Sequence, residues 1–111
     1  MAAGLKTLRE LQARLQKAKL GDHSTAFNTT RLEMLELDNL MATAIATAEL
    51  AFNRKESRGA HARNDFKNRD DKNWLKHSLY FEDGAIDYRE VNRKPNHVDP
   101  IPLKLRDEGE E

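Results

Sequence analysis

Between Arg54 and His77 the sequence crowds together groups that could do chemistry: Arg54, Glu56, Arg58, His61, Arg63, Asp70, Asp71, Trp74 and His77. Ser57 has His61 and Asp65 close in sequence, but a nucleophilic triad is set by geometry, and no nucleophile-elbow pattern surrounds Ser57. His23, His61, His77 and His97 lack the i, i+4 or similar spacing that sets two ligands on one helix face, which argues against a metal site. Arg54, Arg58 and Arg63 could grip phosphates while Phe66 and Trp74 stack on bases, a nucleic-acid reading. Glu56, Asp65, Asp70 and Asp71 interrupt that basic run. The planar fork of arginine bonds carboxylates and carbonyls at fixed angles. The favoured expectation is therefore that these charges pair with one another and hold an irregular loop in place. On this reading His61 and His77 are hydrogen-bonded structural residues, and Trp74 anchors over a helix pair. No residue is assigned to catalysis, to a cofactor or to a metal.

Two helices are expected upstream of that segment. Leu5, Leu8, Leu11, Leu15 and Ala18 recur at steps of three and four, one stripe of an amphipathic helix over about residues 4–19, with Gly21 as its stop. Asn28, Thr29 and Thr30 offer N-caps for a second helix, and Thr30 with Glu33 reads as a capping box. Met34, Leu37, Met41, Ala44, Ala48 and Ala51 carry its main stripe to about Lys55, and Leu35, Leu40, Ile45 and Phe52 widen it. A helix apolar over more than half its circumference is usually buried on several sides, and the first helix can cover only part of this one. The alanines at 42, 44, 46, 48 and 51 would admit another backbone closely, so the sequence itself hints at a missing partner.

Downstream, Gly59 and the mixed polar residues after it predict an ordered loop, with a turn of helix near Asp70–Asn73. Ser78–Phe81 and Ile86–Val91 flank Glu82-Asp83-Gly84-Ala85, whose Asp-Gly is a hairpin signal. Pro95, Pro100 and Pro102 predict an extended tail, frayed over Arg106–Glu111. The expected fold is mainly α: an antiparallel helix pair, or incomplete helical bundle, over residues 1–58, then an ordered loop, β-hairpin and tail over 59–111 of the same domain.

Composition limits the alternatives. A chain of 111 residues suits one small domain with a thin stability margin. It has no cysteine, which removes disulfides and thiolate chemistry together. No apolar run approaches the ~20 residues that span a bilayer, so no direct membrane insertion is expected. Residues 54–77 carry eight basic and four acidic side chains, a surplus of +4, and residues 78–111 carry five and nine, a surplus of −4. Such a basic middle and acidic tail suit a charged contact surface.

Specificity comes from the order of these residues. Arg54-Lys55-Glu56-Ser57-Arg58-Gly59-Ala60-His61, then Arg69-Asp70-Asp71 and Asn73-Trp74-Leu75-Lys76-His77, resemble the signature near the C-terminus of succinate dehydrogenase and fumarate reductase flavoproteins. Phe27-Asn28-Thr29, Leu35-Glu36-Leu37-Asp38-Asn39-Leu40 and Tyr88-Arg89-Glu90-Val91-Asn92 extend the resemblance to about residues 5–105. Aspartate oxidases share a Glu-Ser-Arg-Gly segment but generally lack the Asp-Asp-x-Asn-Trp-Leu-Lys-His run. Lys67 stands where the family often has proline, which should loosen that turn, and the family's usual aromatic ending is absent after Arg106.

The resemblance implies a helical scaffold domain whose parent interconverts succinate and fumarate on FAD. The parent would pass electrons to an iron–sulfur subunit and then to quinone, from a cytoplasmic position, peripheral on the inner membrane face. These residues hold no Gly-x-Gly-x-x-Gly turn to cradle a phosphate. FAD is therefore expected in the parent and not in this chain, which alone should be inactive and reads as a piece of a longer protein, with Met1 to Gly4 an added start. The loop 54–77 would pack against the flavin-bearing body. The uncovered helix face would drive self-association of the isolated chain. The rival expectation is a stand-alone adaptor binding nucleic acid or protein through residues 54–76.

Overall fold

The computed structural model describes residues 1–102. The expected fraying of Arg106–Glu111 lies outside them. The described residues fall into two compact units, one running from Met1 to Asn53 and the other beginning at Arg54.

The first unit is a helix pair, α1 (Ala2–Leu15) and α2 (Thr29–Asn53). The two run antiparallel: Arg9 near the start of α1 pairs with Glu49 near the end of α2, while Leu11 and Leu15 share a cleft with Leu37 and Met41. α1 stops about four residues short of the expected end. Lys17 and Ala18 continue only as a tight turn, donating to the Arg14 and Leu15 carbonyls, and Gly21 takes no left-handed conformation. Beyond Leu15 the chain runs through exposed Gln16, Lys17, Ala18 and Lys19, and short helices owe their stability to tertiary packing more than to propensity. For α2 the cap is Asn28, whose Oδ1 accepts from the Arg31 amide at 2.9 Å.

The loop between them is tied down at several points. Asn28 Nδ2 donates to the carbonyls of Asp22 and Ser24, and the Ser24 amide donates to Asp22 Oδ1 at 2.9 Å. Phe27 is held within it at φ 51°, in the left-handed region that bulky residues avoid, with its side chain fully exposed.

The core is small. Ile45 is the one buried hydrophobic residue among those described, and Leu32, Leu35 and Leu40 of α2 stay more than half exposed. α2 is apolar on two sides, as its sequence predicts, and α1 covers one of them.

The second unit contains α3 (Asp71–Trp74) and an antiparallel hairpin of β1 (Lys76–Tyr80) and β2 (Ile86–Glu90), registered Lys76 with Glu90 through Tyr80 with Ile86. Five residues, 81–85, join the strands, closed by Phe81 N–H to the Ala85 carbonyl at 3.0 Å, with Gly84 at φ 85°. The Asp83 carboxylate, accepting from the Ala85 amide at 2.9 Å, stabilises this wider turn. Residues 91–102 form neither helix nor strand, in keeping with their prolines.

Candidate functional site

Glu56 is the centre of the second unit and is completely buried. A carboxylate removed from water needs donors at its lone pairs, and this one has four. Oε1 accepts from Arg54 Nη1 at 2.6 Å and Arg58 Nε at 2.8 Å. Oε2 accepts from Arg58 Nη2 at 3.1 Å and from the Asp70 amide at 2.9 Å. Each arginine then reaches further. Arg54 donates to the carbonyls of Trp74 at 2.7 Å and Lys76 at 2.6 Å and to Ser78 Oγ at 3.0 Å. Arg58 Nη2 donates to Asp71 Oδ1 at 2.5 Å. Arg69 Nη2 approaches Asp71 Oδ2 at 3.0 Å as a charge contact without hydrogen-bond alignment, and neither it nor Nε has a hydrogen-bond acceptor among the described residues.

A second group closes the loop beside it. Arg63, 8% exposed, forks onto Asp65 at 2.8 and 2.6 Å and donates through Nη1 to the Arg54 carbonyl at 2.9 Å. Its guanidinium lies 4.8 Å from the Phe66 ring centroid. Arg58 and His61 exchange backbone hydrogen bonds of 2.8 and 3.0 Å across a tight turn. Gly59 sits at φ 55° in that turn, a conformation only glycine adopts freely. Asp70 caps α3, accepting from the Asn73 amide at 3.0 Å.

Charge balance in this site favours ionised carboxylates. Burial pushes the Glu56 carboxyl pKa up, but the hydrogen bonds from Arg58, the Asp70 amide and Arg54 outweigh it and leave it lowered. Hydrogen bonds from Arg63 lower Asp65, those from Asn73 lower Asp70, and those from Arg58 lower Asp71. A carboxylate with a depressed folded pKa stabilises fully above its ordinary value and loses that contribution as pH falls through the folded value. Stability of this unit is therefore expected to be level from pH 8 to about 5 and to fall below the ordinary glutamate value of 4.5. Denaturant midpoints followed by Trp74 fluorescence across that range test this, and a decline already present between pH 8 and about 6 would contradict it.

The structure brings together Arg54, Glu56, Arg58, Asp70 and Asp71, with Arg63 and His61 touching the Arg54 carbonyl. His61 Nε2 lies 3.4 Å from that carbonyl. His77 stands apart, exposed on β1 opposite Arg89. The Ser57 hydroxyl is committed to backbone, donating to the Phe66 carbonyl at 2.7 Å and accepting from the Arg63 amide at 2.8 Å. The ring partners of Trp74 lie in its own unit: Tyr88 edge-on at 6.0 Å, Arg54 at 5.3 Å and Lys76 at 5.1 Å.

Lys76 and Tyr88 stand in the quoted motifs without an assigned contact; the Lys76 ammonium lies 3.9 Å from the Tyr88 ring centroid. A signal existed. With Ser78 opposite Tyr88, Lys76 and Tyr88 are diagonal neighbours on one face of the hairpin. Arg69 opens the Arg69-Asp70-Asp71 motif and Ser78 opens a strand of the hairpin signal, but neither position by itself indicates the charge contact or the hydrogen bond it makes.

A profile described as fumarate reductase flavoprotein C-term matches residues 1–107. The chain is 59% identical to the succinate dehydrogenase flavoprotein subunit of Coxiella burnetii over 107 residues, which is 96% of this chain and 18% of that protein. It is 41% identical to the mitochondrial succinate dehydrogenase [ubiquinone] flavoprotein subunit of Oryza sativa subsp. japonica, over 93% of this chain and 17% of that one. A solved Escherichia coli quinol fumarate reductase FrdA chain bearing a point mutation superposes with a TM-score of 0.73 at 36% identity, covering 88% of this chain and 17% of that chain. The chain thus spans less than a fifth of the length of these relatives.

Proposed function

As the chain belongs to the fumarate reductase flavoprotein C-terminal family, we propose that it serves as the helical scaffold of a succinate dehydrogenase or fumarate reductase flavoprotein subunit. The observation that carries this reading is the two-sided helix α2. Its outer face keeps Leu32, Leu35 and Leu40 exposed, while the Thr43 and Thr47 hydroxyls donate back to the Asn39 and Thr43 carbonyls at 3.0 and 2.8 Å. Satisfied hydroxyls and exposed leucines suit a surface that another part of a protein covers.

The described residues do not fit an FAD cradle. Gly59 and Gly84 are used in tight turns away from any helix start, and the arginines that could face a pyrophosphate are bonded to carboxylates and carbonyls. The flavin therefore belongs to the rest of the parent subunit, and this chain contributes no chemical step. The parent interconverts succinate and fumarate and passes electrons to an iron–sulfur subunit and on to quinone. It lies peripherally on the inner membrane face; among the described residues no helix is long and apolar enough to cross a membrane.

In that parent the loop carrying Arg54, Glu56, Arg58, His61, Arg63, Asp70, Asp71, Trp74 and His77 packs against the flavin-bearing body. The internal ion pairs supply a fixed shape for that contact. Removed from the body, the chain associates with itself through its uncovered apolar surface. The adaptor reading is weaker, because the arginines it needs already hold internal carboxylates.

Exchanging the corresponding segment of the Coxiella burnetii subunit for this chain tests the proposal. The exchanged subunit should keep its FAD and its succinate turnover. Loss of flavin and turnover, although this chain by itself shows a helical spectrum, would reject it.

A further inference from the structure

One arginine of the second unit lacks the bonds that its neighbours have. Arg54, Arg58, Arg63 and Arg69 are the arginines of the 54–77 segment. The first three spend their donors inside the unit, on carboxylates, carbonyls and a hydroxyl. Arg69 does not. Its Nε and Nη2 are shielded from water and have no acceptor among the described residues. These two nitrogens form one edge of the guanidinium, the edge that grips a carboxylate through two parallel hydrogen bonds. Two dry, unbonded donors are costly, and native proteins rarely keep them.

The carboxylates of the unit are already engaged. Asp71 Oδ2 stands 3.0 Å from Arg69 Nη2 but off the hydrogen-bond direction, and Oδ1 of the same group accepts from Arg58. Glu56 holds four donors, Asp70 caps α3 and Asp65 holds Arg63. In the linked group, Arg54, Arg58 and Arg69 set three positive charges against the two negative ones of Glu56 and Asp71. One more carboxylate cancels the surplus, whereas a phosphate group with about −1.5 to −2 charges would overshoot it. Arg69 can also reach outward. No directional bond retains it, and its side chain is 25% exposed, much like those of Arg58 and Asp71, so this corner of the network lies at the surface of the unit.

We infer that Arg69 turns its Nε–Nη2 edge to an aspartate or glutamate carboxylate of the flavin-bearing body in the parent subunit. The inference rests on the packing of the 54–77 loop proposed above and names the bond that fixes it. This chain spans 18% of the Coxiella burnetii subunit, so most of such a subunit is available to supply the acceptor.

Hydrogen exchange of peptides spanning residues 54–80 tests this in two proteins: the 111-residue chain alone and the Coxiella burnetii subunit carrying it in exchange. Local exchange reads how often a segment opens. Arg69→Met keeps the apolar stem and removes the donors. In the exchanged subunit it should speed exchange of these peptides by about ten-fold or more, as for the loss of a charge-assisted hydrogen bond. In the chain alone it should leave exchange unchanged or slower, since no bond is lost there. Arg69→Lys should recover only part of the effect, because an ammonium lacks the fork. Equal acceleration in both proteins would mean that Asp71 or an ordered water satisfies Arg69 within the unit, and it overturns the inference. No acceleration in either protein overturns it too, and full recovery by lysine overturns the two-donor contact. If the exchanged subunit loses FAD and turnover with Arg69 intact, the scaffold reading itself falls and takes this inference with it.

Discussion

Replacing Glu56 with alanine should lower the stability of the second unit by about 3–5 kcal/mol, the range found when one member of a buried ion pair is removed. The size follows from what is left behind. Arg54 and Arg58 both point at a carboxylate with no exposed surface, and the Asp70 amide bonds it as well. Their unpaired donors would face a cavity and not water. The effect should also exceed that of truncating Asp65, whose side chain is 61% exposed and can be replaced by solvent. Glutamine is the sharper probe, because it keeps the volume but turns one oxygen into a donor facing arginine. Most of the loss should therefore appear in Glu56→Gln as well. Urea unfolding followed by Trp74 fluorescence measures both variants, and a shift below about 1 kcal/mol in each would mean that solvent reaches the site.

The sequence makes some of this arrangement legible and hides the rest, for identifiable reasons. The helix pair follows from apolar periodicity, and α3 and the hairpin from local turn chemistry, all short-range signals. That Arg54, Arg58 and Arg63 pair with internal carboxylates could be argued from alternation of sign alone. The identity of each pair could not. Glu56 bonds an amide fourteen positions away, and Arg54 reaches carbonyls at positions 74 and 76, contacts that no local pattern encodes. The end of α1 was misjudged because Gly21 is a valid stop signal that the helix never reaches. Residues 16–19 are all exposed, and without packing the helical propensity of this stretch does not carry the helix on. The left-handed Phe27 was invisible too, since nothing in its residue type favours that conformation.

Arg54→Lys should cost the chain about 2–4 kcal/mol, although charge and approximate length are kept, because each hydrogen bond to a charged group contributes roughly 1.5–3 kcal/mol. Arg54 is only 15% exposed and works through two nitrogens at once. Nη1 serves Glu56 and the Trp74 carbonyl, and Nη2 serves the Lys76 carbonyl and Ser78. These four acceptors come from the loop, the end of α3 and β1, so one planar group fixes the spacing of three segments. An ammonium presents its donors from one point and cannot span that separation. Lysine would keep the attraction to Glu56 and abandon at least two of the other three acceptors, the Trp74 and Lys76 carbonyls and Ser78 Oγ. It would also leave the Trp74 ring, now 5.3 Å from the guanidinium carbon, without its flat cover. Two readouts are therefore expected together: a lower urea midpoint, and a Trp74 emission maximum shifted toward that of a solvated indole. A lower midpoint with unchanged emission would place the loss at Glu56 alone. Unchanged values for both would show that the fork geometry of Arg54 is dispensable and that the 54–78 segment is held by charge without direction.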